Sequence, residues 1–274
     1  MGGIMATIAL TDALRQDYAS LFNNCVINAA RAADVDGLVR SLERNRPRYE
    51  TAGTLSGVPW HFIAVIHNME CGQRFDCHLH NGDPLGARTT HVPAGRPRAS
   101  SPPFSWEDSA ADALALKGLG AATDWSLSGM LFQVERYNGF GYRSYHPQVS
   151  TPYLWSFSNH YVCGKYVADG TWSDTAVSRQ CGAAVLLRRM AETGAIGFAD
   201  QPPHAETDAP LVVRYAARKP MDATVIAQAD ALQRWLNTYP GIFVKLDGYP
   251  GKRTSAAYRD VTGHYLPGDP RTLA

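Results

Sequence analysis

The placement of prolines constrains this chain most. Pro202, Pro203, Pro210 and Pro220 fall within residues 199–222 among polar neighbours. Proline lacks the N–H that a helix interior or a strand ladder needs. The stretch 198–222 therefore reads as a linker, with one short strand at LVVRY (211–215). It divides the 274 residues into a long piece, 1–197, and a short one, 223–274. At 45% hydrophobic and 19% charged residues, the composition is globular. Lys and Arg number 26 against 25 Asp and Glu, a net charge of +1. Bulk charge thus gives no reason to expect nucleic acid or a membrane surface as partner. The densest apolar run, 183–187, is far shorter than the ~18 residues of a membrane helix. The opening MGGIMATIALTDALRQ has no basic segment before its apolar stretch, so no standard secretion signal is expected. Cys25, Cys71, Cys77, Cys163 and Cys181 form no CxxC pair. Without a secretion signal, buried thiols are expected ahead of disulfides, and a monomer is expected.

Helix signals dominate the long piece. Thr11 is placed to cap DALRQDYASLFNN, and Asp36 or a neighbour to cap GLVRSLERN, with Pro47 ending that stretch. After a break at 53–57, Pro59 suits the first turn of a helix in which Trp60, Ile63, His67 and Glu70 recur at helical spacing. Residues 75–103 read as a small hairpin, with a turn at 81–83 and a strand at RTTHV (88–92), and then a long loop. Whether the loop 93–103 is solvated or lids a cleft stays open. Ser105, with Asp108 three residues on, predicts a capped helix, and Ser126 or Ser128 opens another that NGFG ends. Ser173 is predicted to open a long helix with a Val177, Cys181, Val185 stripe, closed by Gly194. The expected fold is mainly α, with a small β-hairpin in the first domain.

The chemistry gathers around Glu70. Set on an apolar helix face, its carboxyl would resist ionisation through desolvation. Asp83 lies thirteen residues on in a polar Asn-Gly-Asp turn and would stay charged. Glycoside cleavage needs such a pair: one carboxyl to protonate the leaving oxygen, and an ionised one across the cleft.

HNMECGQRFD (67–76) and RYNGFG (136–141) resemble the glutamate motif and the Tyr-Asn-Gly motif of the lysozyme superfamily, in particular goose-type lysozymes and soluble lytic transglycosylases. The resemblance covers about 55–195. It implies a lysozyme-like α+β catalytic domain with Glu70 as catalytic acid. Asp83 matches the spacing of the goose-type second carboxylate. Tyr137 and Asn138 match the pair that lines the cleft. The spacing from Asp83 to Thr89 is similar to that of phage-type lysozymes, which makes Thr89 a substrate-binding candidate. One departure is Cys71, where the family usually carries a small hydroxyl residue.

Other residues carry two readings each. Asp76 competes with Asp83 for the second carboxylate; otherwise it caps or braces the turn. Tyr153 and Trp155 either pack in a core or stack on sugar rings. His78 and His80 either hydrogen-bond within the hairpin or ligate a metal, but no HExxH or further ligand pair supports a metal. Lys165 and Arg143 read as surface cations. No GxSxG motif points to a serine hydrolase. No cofactor is expected.

In the short piece, residues 229–258 resemble the small helical peptidoglycan-binding domain often fused to wall hydrolases. The match rests on Leu232, Gln233, Leu236, Asn237, Asp247, Gly248, Gly251, Thr254 and Ala257. A three-helix module is implied. Both resemblances imply peptidoglycan glycan strands as the partner. The implied activity is a muramidase that cleaves between N-acetylmuramic acid and N-acetylglucosamine. Its alternatives are a lytic transglycosylase using Glu70 alone, a chitinase, and a non-catalytic wall-binding protein. Without a signal, such a chain would reach the wall by phage lysis or a dedicated secretion system.

Overall fold

The computed structural model describes residues 8–198 and 213–273. It is mainly helical. The helices are α1 (Asp12–Asn23), α2 (Ala32–Arg44), α3 (Arg46–Ser56), α4 (Trp60–Cys71), α5 (Trp106–Leu116), α6 (Leu127–Asn138), α7 (Gly141–Tyr145), α8 (Pro152–Trp155), α9 (Ala183–Thr193), α10 (Ala223–Leu236) and α11 (Lys252–Thr262). One two-stranded antiparallel sheet pairs β1 (Lys165–Ala168) with β2 (Thr171–Ser173). The chain divides into two compact units. The first runs to Tyr18 and resumes over Val26–Leu187; the second takes Ala19–Cys25 and everything from Arg188. The division thus falls inside α1 and α9, ten residues before the boundary expected at 197.

Several caps form as the sequence dictates. Thr11 Oγ1 accepts from Leu14 N, Ser105 Oγ from Asp108 N, and Ser126 Oγ from Gly129 N. Others shift. Asp36 lies inside α2, which follows a 3₁₀ turn capped by Asn28. Pro47 starts α3 instead of ending a helix, because a first-turn residue needs no N–H.

The expected hairpin at 75–92 reduces to a single bridge, Cys77 to Pro84. The segment after it spends its polar groups on a compact loop instead of a ladder. The real hairpin is β1–β2, turning at Asp169-Gly170. Tyr166 and Trp172 face each other across it and pack with Tyr142 and His146, whose ring stacks on Trp172. Ser173 consequently ends a strand, and its Oγ accepts from Ala176 N in a turn. Val177 is 57% exposed and precedes the helix it was expected to join.

In the second unit, α10 and α11 enclose Leu232, Leu236, Ile242, Val244, Ala257 and Val261. In place of a third helix, the described residues end in a 3₁₀ turn, Pro270–Leu273. Residues 213–217 belong to this fold: Val213 is in its core, and Tyr215 N and Ala216 N donate to Pro267 O and Pro250 O. The linker expected at 198–222 is therefore shorter at its C-terminal end. Its residues 199–212, with part of the expected strand, lie outside the described residues; Val213–Tyr215 form no strand. The unit also holds Phe22, edge-on to Phe243, and Arg188, which donates to Phe22 O and Glu192.

Candidate active site

α4 is buried along nearly its whole length, from Phe62 to Met69, and Glu70 breaks that pattern by being exposed. Three devices hold the end of the helix. His67, three residues before Glu70, sits among Tyr49, Phe75 and Trp106. Its Nε2 pairs with Arg74 O at 2.8 Å and its Nδ1 with the Tyr49 hydroxyl at 3.1 Å. Burial lowers its pKa to about 4, which keeps the ring neutral. Gly72 then turns the chain with φ 57°, a left-handed conformation that glycine adopts without strain. Finally, Gln180 Nε2 donates to Met69 O at 2.8 Å.

The Tyr153 hydroxyl donates to Glu70 Oε1 at 2.6 Å. Burial first, then the charge of Glu70, pushes the Tyr153 phenol well above its ordinary pKa, so it remains a donor. The same two causes raise Tyr137. Tyr153 lines a groove of about 480 Å³ with Asn138, Tyr142, Lys165, Asp169 and Gln180. Tyr137 lines a second hollow of about 300 Å³, where Lys117 lies 4.7 Å from its ring centre. Glu70 therefore interacts with one residue from each hollow. The Tyr137–Asn138 end of α6 is fixed by Glu135, which is buried and accepts from Tyr18 Oη at 2.6 Å and Arg143 Nε at 2.9 Å. Arg143, expected as a surface cation, is thus an internal partner.

Compared with known proteins, the chain matches no family model, no curated protein and no solved structure.

The other expected site residues lie elsewhere. Asp83 is buried, and its carboxylate is consumed by its own loop. Oδ1 pairs with His91 Nδ1 at 2.6 Å, while Oδ2 accepts from Thr90 N, His91 N and Asn81 Nδ2 at 2.7–3.1 Å. The His91 side chain and then its amide hold this carboxyl far below the usual carboxylate range. The Asp76 side chain is 81% exposed and 4.0 Å from Arg74, while its backbone O accepts from Leu85 N across the turn. Thr89 is buried; its hydroxyl donates to Pro93 O and accepts from Arg96 N, closing the following loop. Trp155 is 1% exposed and packs in the core. One short helix carries it and Tyr153 to different environments. His78 is satisfied by Ser109 Oγ and Ala87 O; His80 Nε2 pairs with Asp112, while its buried Nδ1 has no partner among the described residues. Cys71 is buried beside Cys77; burial first, then Cys77, pushes its thiol up to about 12, so it replaces a hydroxyl with a weak donor.

Several groove residues were missed: Asp169, Tyr142, Ser178 and Gln180 drew no reading, and Lys165 was read as surface. The signal for the first was present, since Asp-Gly between Tyr-Val and Thr-Trp is a hairpin turn.

Proposed function

We propose that this protein cleaves the glycosidic bond between N-acetylmuramic acid and N-acetylglucosamine in peptidoglycan, with Glu70 as general acid. The reading includes a lysozyme-like first unit acting at the cell wall and a second unit serving attachment. The observation that carries it is an exposed carboxyl at the end of a buried helix, held by Tyr153 at the edge of a groove. A polymer needs room on both sides of the bond being cut, and the two hollows reached through Tyr153 and Tyr137 supply it. Tyr153 fixes Oε1, which leaves Oε2 to face the leaving oxygen. In its acid form Glu70 gives its proton to that oxygen as the bond to C1 breaks. The carboxylate left behind takes the proton of the same sugar's 6-hydroxyl. That oxygen closes on C1, giving a 1,6-anhydro end.

This course needs one carboxylate, and it is preferred because Asp83 is buried with both carboxylate oxygens bonded by its own loop. A second reading, hydrolysis, is favoured by one observation: Asp169 is the one carboxylate lining the groove among the described residues. It would serve as the base. Mass spectrometry of fragments from purified sacculi separates the outcomes. Anhydro-muramic ends are expected. Reducing muramic ends that vanish in Asp169→Asn would establish hydrolysis. Intact sacculi would overturn the glycosidase reading and leave a wall-binding protein.

A further inference from the structure

Resting on that reading, we infer that Lys165 selects the sugar: its ammonium pairs with a carboxylate borne on the lactyl ether of muramic acid, whether the free lactyl acid or a stem peptide attached to it. Lys165 is half-buried, opens β1 and lines the groove with Tyr153, which is bonded to Glu70. Of the other partly buried cations of the first unit, Arg48 has Glu107, Arg96 has Asp112 and Arg143 has Glu135, while Arg88, away from the groove, donates to Ser100 O and lies over the Phe104 ring. Lys165 has none among the described residues. Asp169 lines the same groove four residues on, yet the two form no ion pair. A lysine of this kind packs its methylene stem against the groove wall and leaves an ammonium with no carboxylate partner. An incoming carboxylate supplies that partner through a charge-assisted hydrogen bond.

The position of Lys165 is fixed in advance. Its backbone pairs with Ser173, and the next pair, Tyr166 with Trp172, is held by the Tyr142 and His146 rings. The register then slips at Val167, a bulge that turns the strand. Before it, Gly164 N donates to Ala176 O, and Gly164 lies against the Trp172 ring. A rigid mount of this kind lowers the ordering cost of binding.

The chemistry of the ligand follows from what differs between candidate polymers. A chain of N-acetylglucosamine alone carries no charge. In peptidoglycan every second sugar carries an ether-linked lactyl group, which ends in a carboxylate or in a peptide that bears them. A cation beside the reacting carboxyl therefore separates two polymers that share their hydroxyls and N-acetyl groups.

The test is calorimetric binding to the full-length Glu70→Gln protein, which holds substrate without turnover. The ligands are soluble glycan fragments bearing stem peptides, and peptide-free fragments with free lactyl carboxylates. Each is used as isolated and after carbodiimide coupling to methylamine, which makes every carboxylate a neutral amide. We expect amidation to weaken binding roughly 10- to 100-fold, the worth of one charge-assisted bond. Lys165→Met should remove that difference and Lys165→Arg should keep it, with thermal melts confirming that both fold. Whichever fragment loses affinity on amidation identifies the source of the carboxylate. Equal binding of native and amidated fragments, or a Lys165→Met protein that still discriminates, overturns the inference. Wild-type cleavage is scored on the same fragments. Cleavage without discrimination overturns the role of Lys165 alone; discrimination without cleavage overturns the glycosidase reading alone. Failure to bind any fragment overturns both.

Discussion

Glu70 and Gln233 have side chains of nearly the same size and shape, and each anchors one of the two motif matches. Their surroundings are opposite. Glu70 is exposed, with one hydrogen bond, from Tyr153, among the described residues. Gln233 is fully buried. Its Nε2 lies 2.8 Å from Asp247 Oδ1 and 3.1 Å from both Tyr249 O and Thr254 Oγ1. Its Oε1 accepts from Asp247 N and Gly248 N at 2.9 and 3.1 Å. Asn237, from the same motif, exchanges two bonds with the Val244 backbone, each 2.7 Å. Leu232, Leu236 and Ala257 are core. The second motif is therefore a knot that closes the fold over itself, while the first leaves bonding capacity aimed at solvent. A residue type at the right spacing has two uses, and the number of its unspent hydrogen bonds tells them apart.

The sharpest way to break this contrast is to exchange the two side chains. Glu70→Gln should lower activity on sacculi by roughly 10²–10⁴-fold, the usual worth of a general acid, with the melting temperature unchanged. A folded Glu70→Gln protein that digests sacculi at the wild-type rate would end the catalytic assignment. The reverse exchange, Gln233→Glu, sets an unpaired carboxylate against the Asp247 carboxylate, the Tyr249 carbonyl and the Thr254 hydroxyl. It should destabilise the second unit by roughly 3–5 kcal/mol, read by hydrogen exchange over α10 and α11. Normal protection there would mean that the knot contributes little.

Acid should then separate the two units. In the first, burial lowers His61 and His67 from 6.5 to about 4. Below 6.5 the unfolded chain takes up protons that the folded unit refuses, so stability falls as pH drops from 6.5 toward 4. From neutrality to about pH 5 the loss should be about 2 kcal/mol from each histidine. The second unit's one described histidine, His264, is exposed, so this unit should hold through that window. It should weaken only at lower pH, as Asp269 takes up a proton; its ion pair with Arg271 holds that carboxyl far below the usual range. Parallel acid loss in both units would contradict this assignment.

The smallest effects concern Asp83 and Asp76. Asp83→Asn should lower the melting temperature, because an amide cannot accept every bond now made to the carboxylate. Asp76→Asn should leave it within about 2 °C. The opposite ranking in thermal melts would mean that the loop around Asp83 is not held by its carboxylate.

Much of the helical frame was legible in the sequence, because caps and glycine stops act within three or four residues. Ser105, Ser126, Gly139 and Gly194 each did what their type predicts. The hairpin was misplaced for a physical reason. RTTHV has strand-forming residues, but a ladder needs a partner, and Asp83 and Thr89 offered this segment's amides and hydroxyls nearer ones. In KYVADGTWS the partner strand lies just across a two-residue turn, and aromatic rings cover it.

The sequence by itself determined that the chain is mainly helical, that Glu70 ends a helix, and that the Tyr137–Asn138 pair ends another. Those outcomes depend on short-range periodicity and capping. Only the tertiary structure decided which polar residues face water. Periodicity put Glu70 on an apolar face, yet packing leaves it at the surface beside Tyr153, 83 residues on. Asp83, read as an open turn residue, was drawn inward by donors from residues 81, 90 and 91. Lys165, read as a surface cation, came to line the groove because the rings of Tyr142 and His146 hold its hairpin in place. Burial is a sum over distant neighbours, whereas a sequence window records only near ones. For that reason the helices could be read from the chain, while the set of groove residues had to wait for the fold.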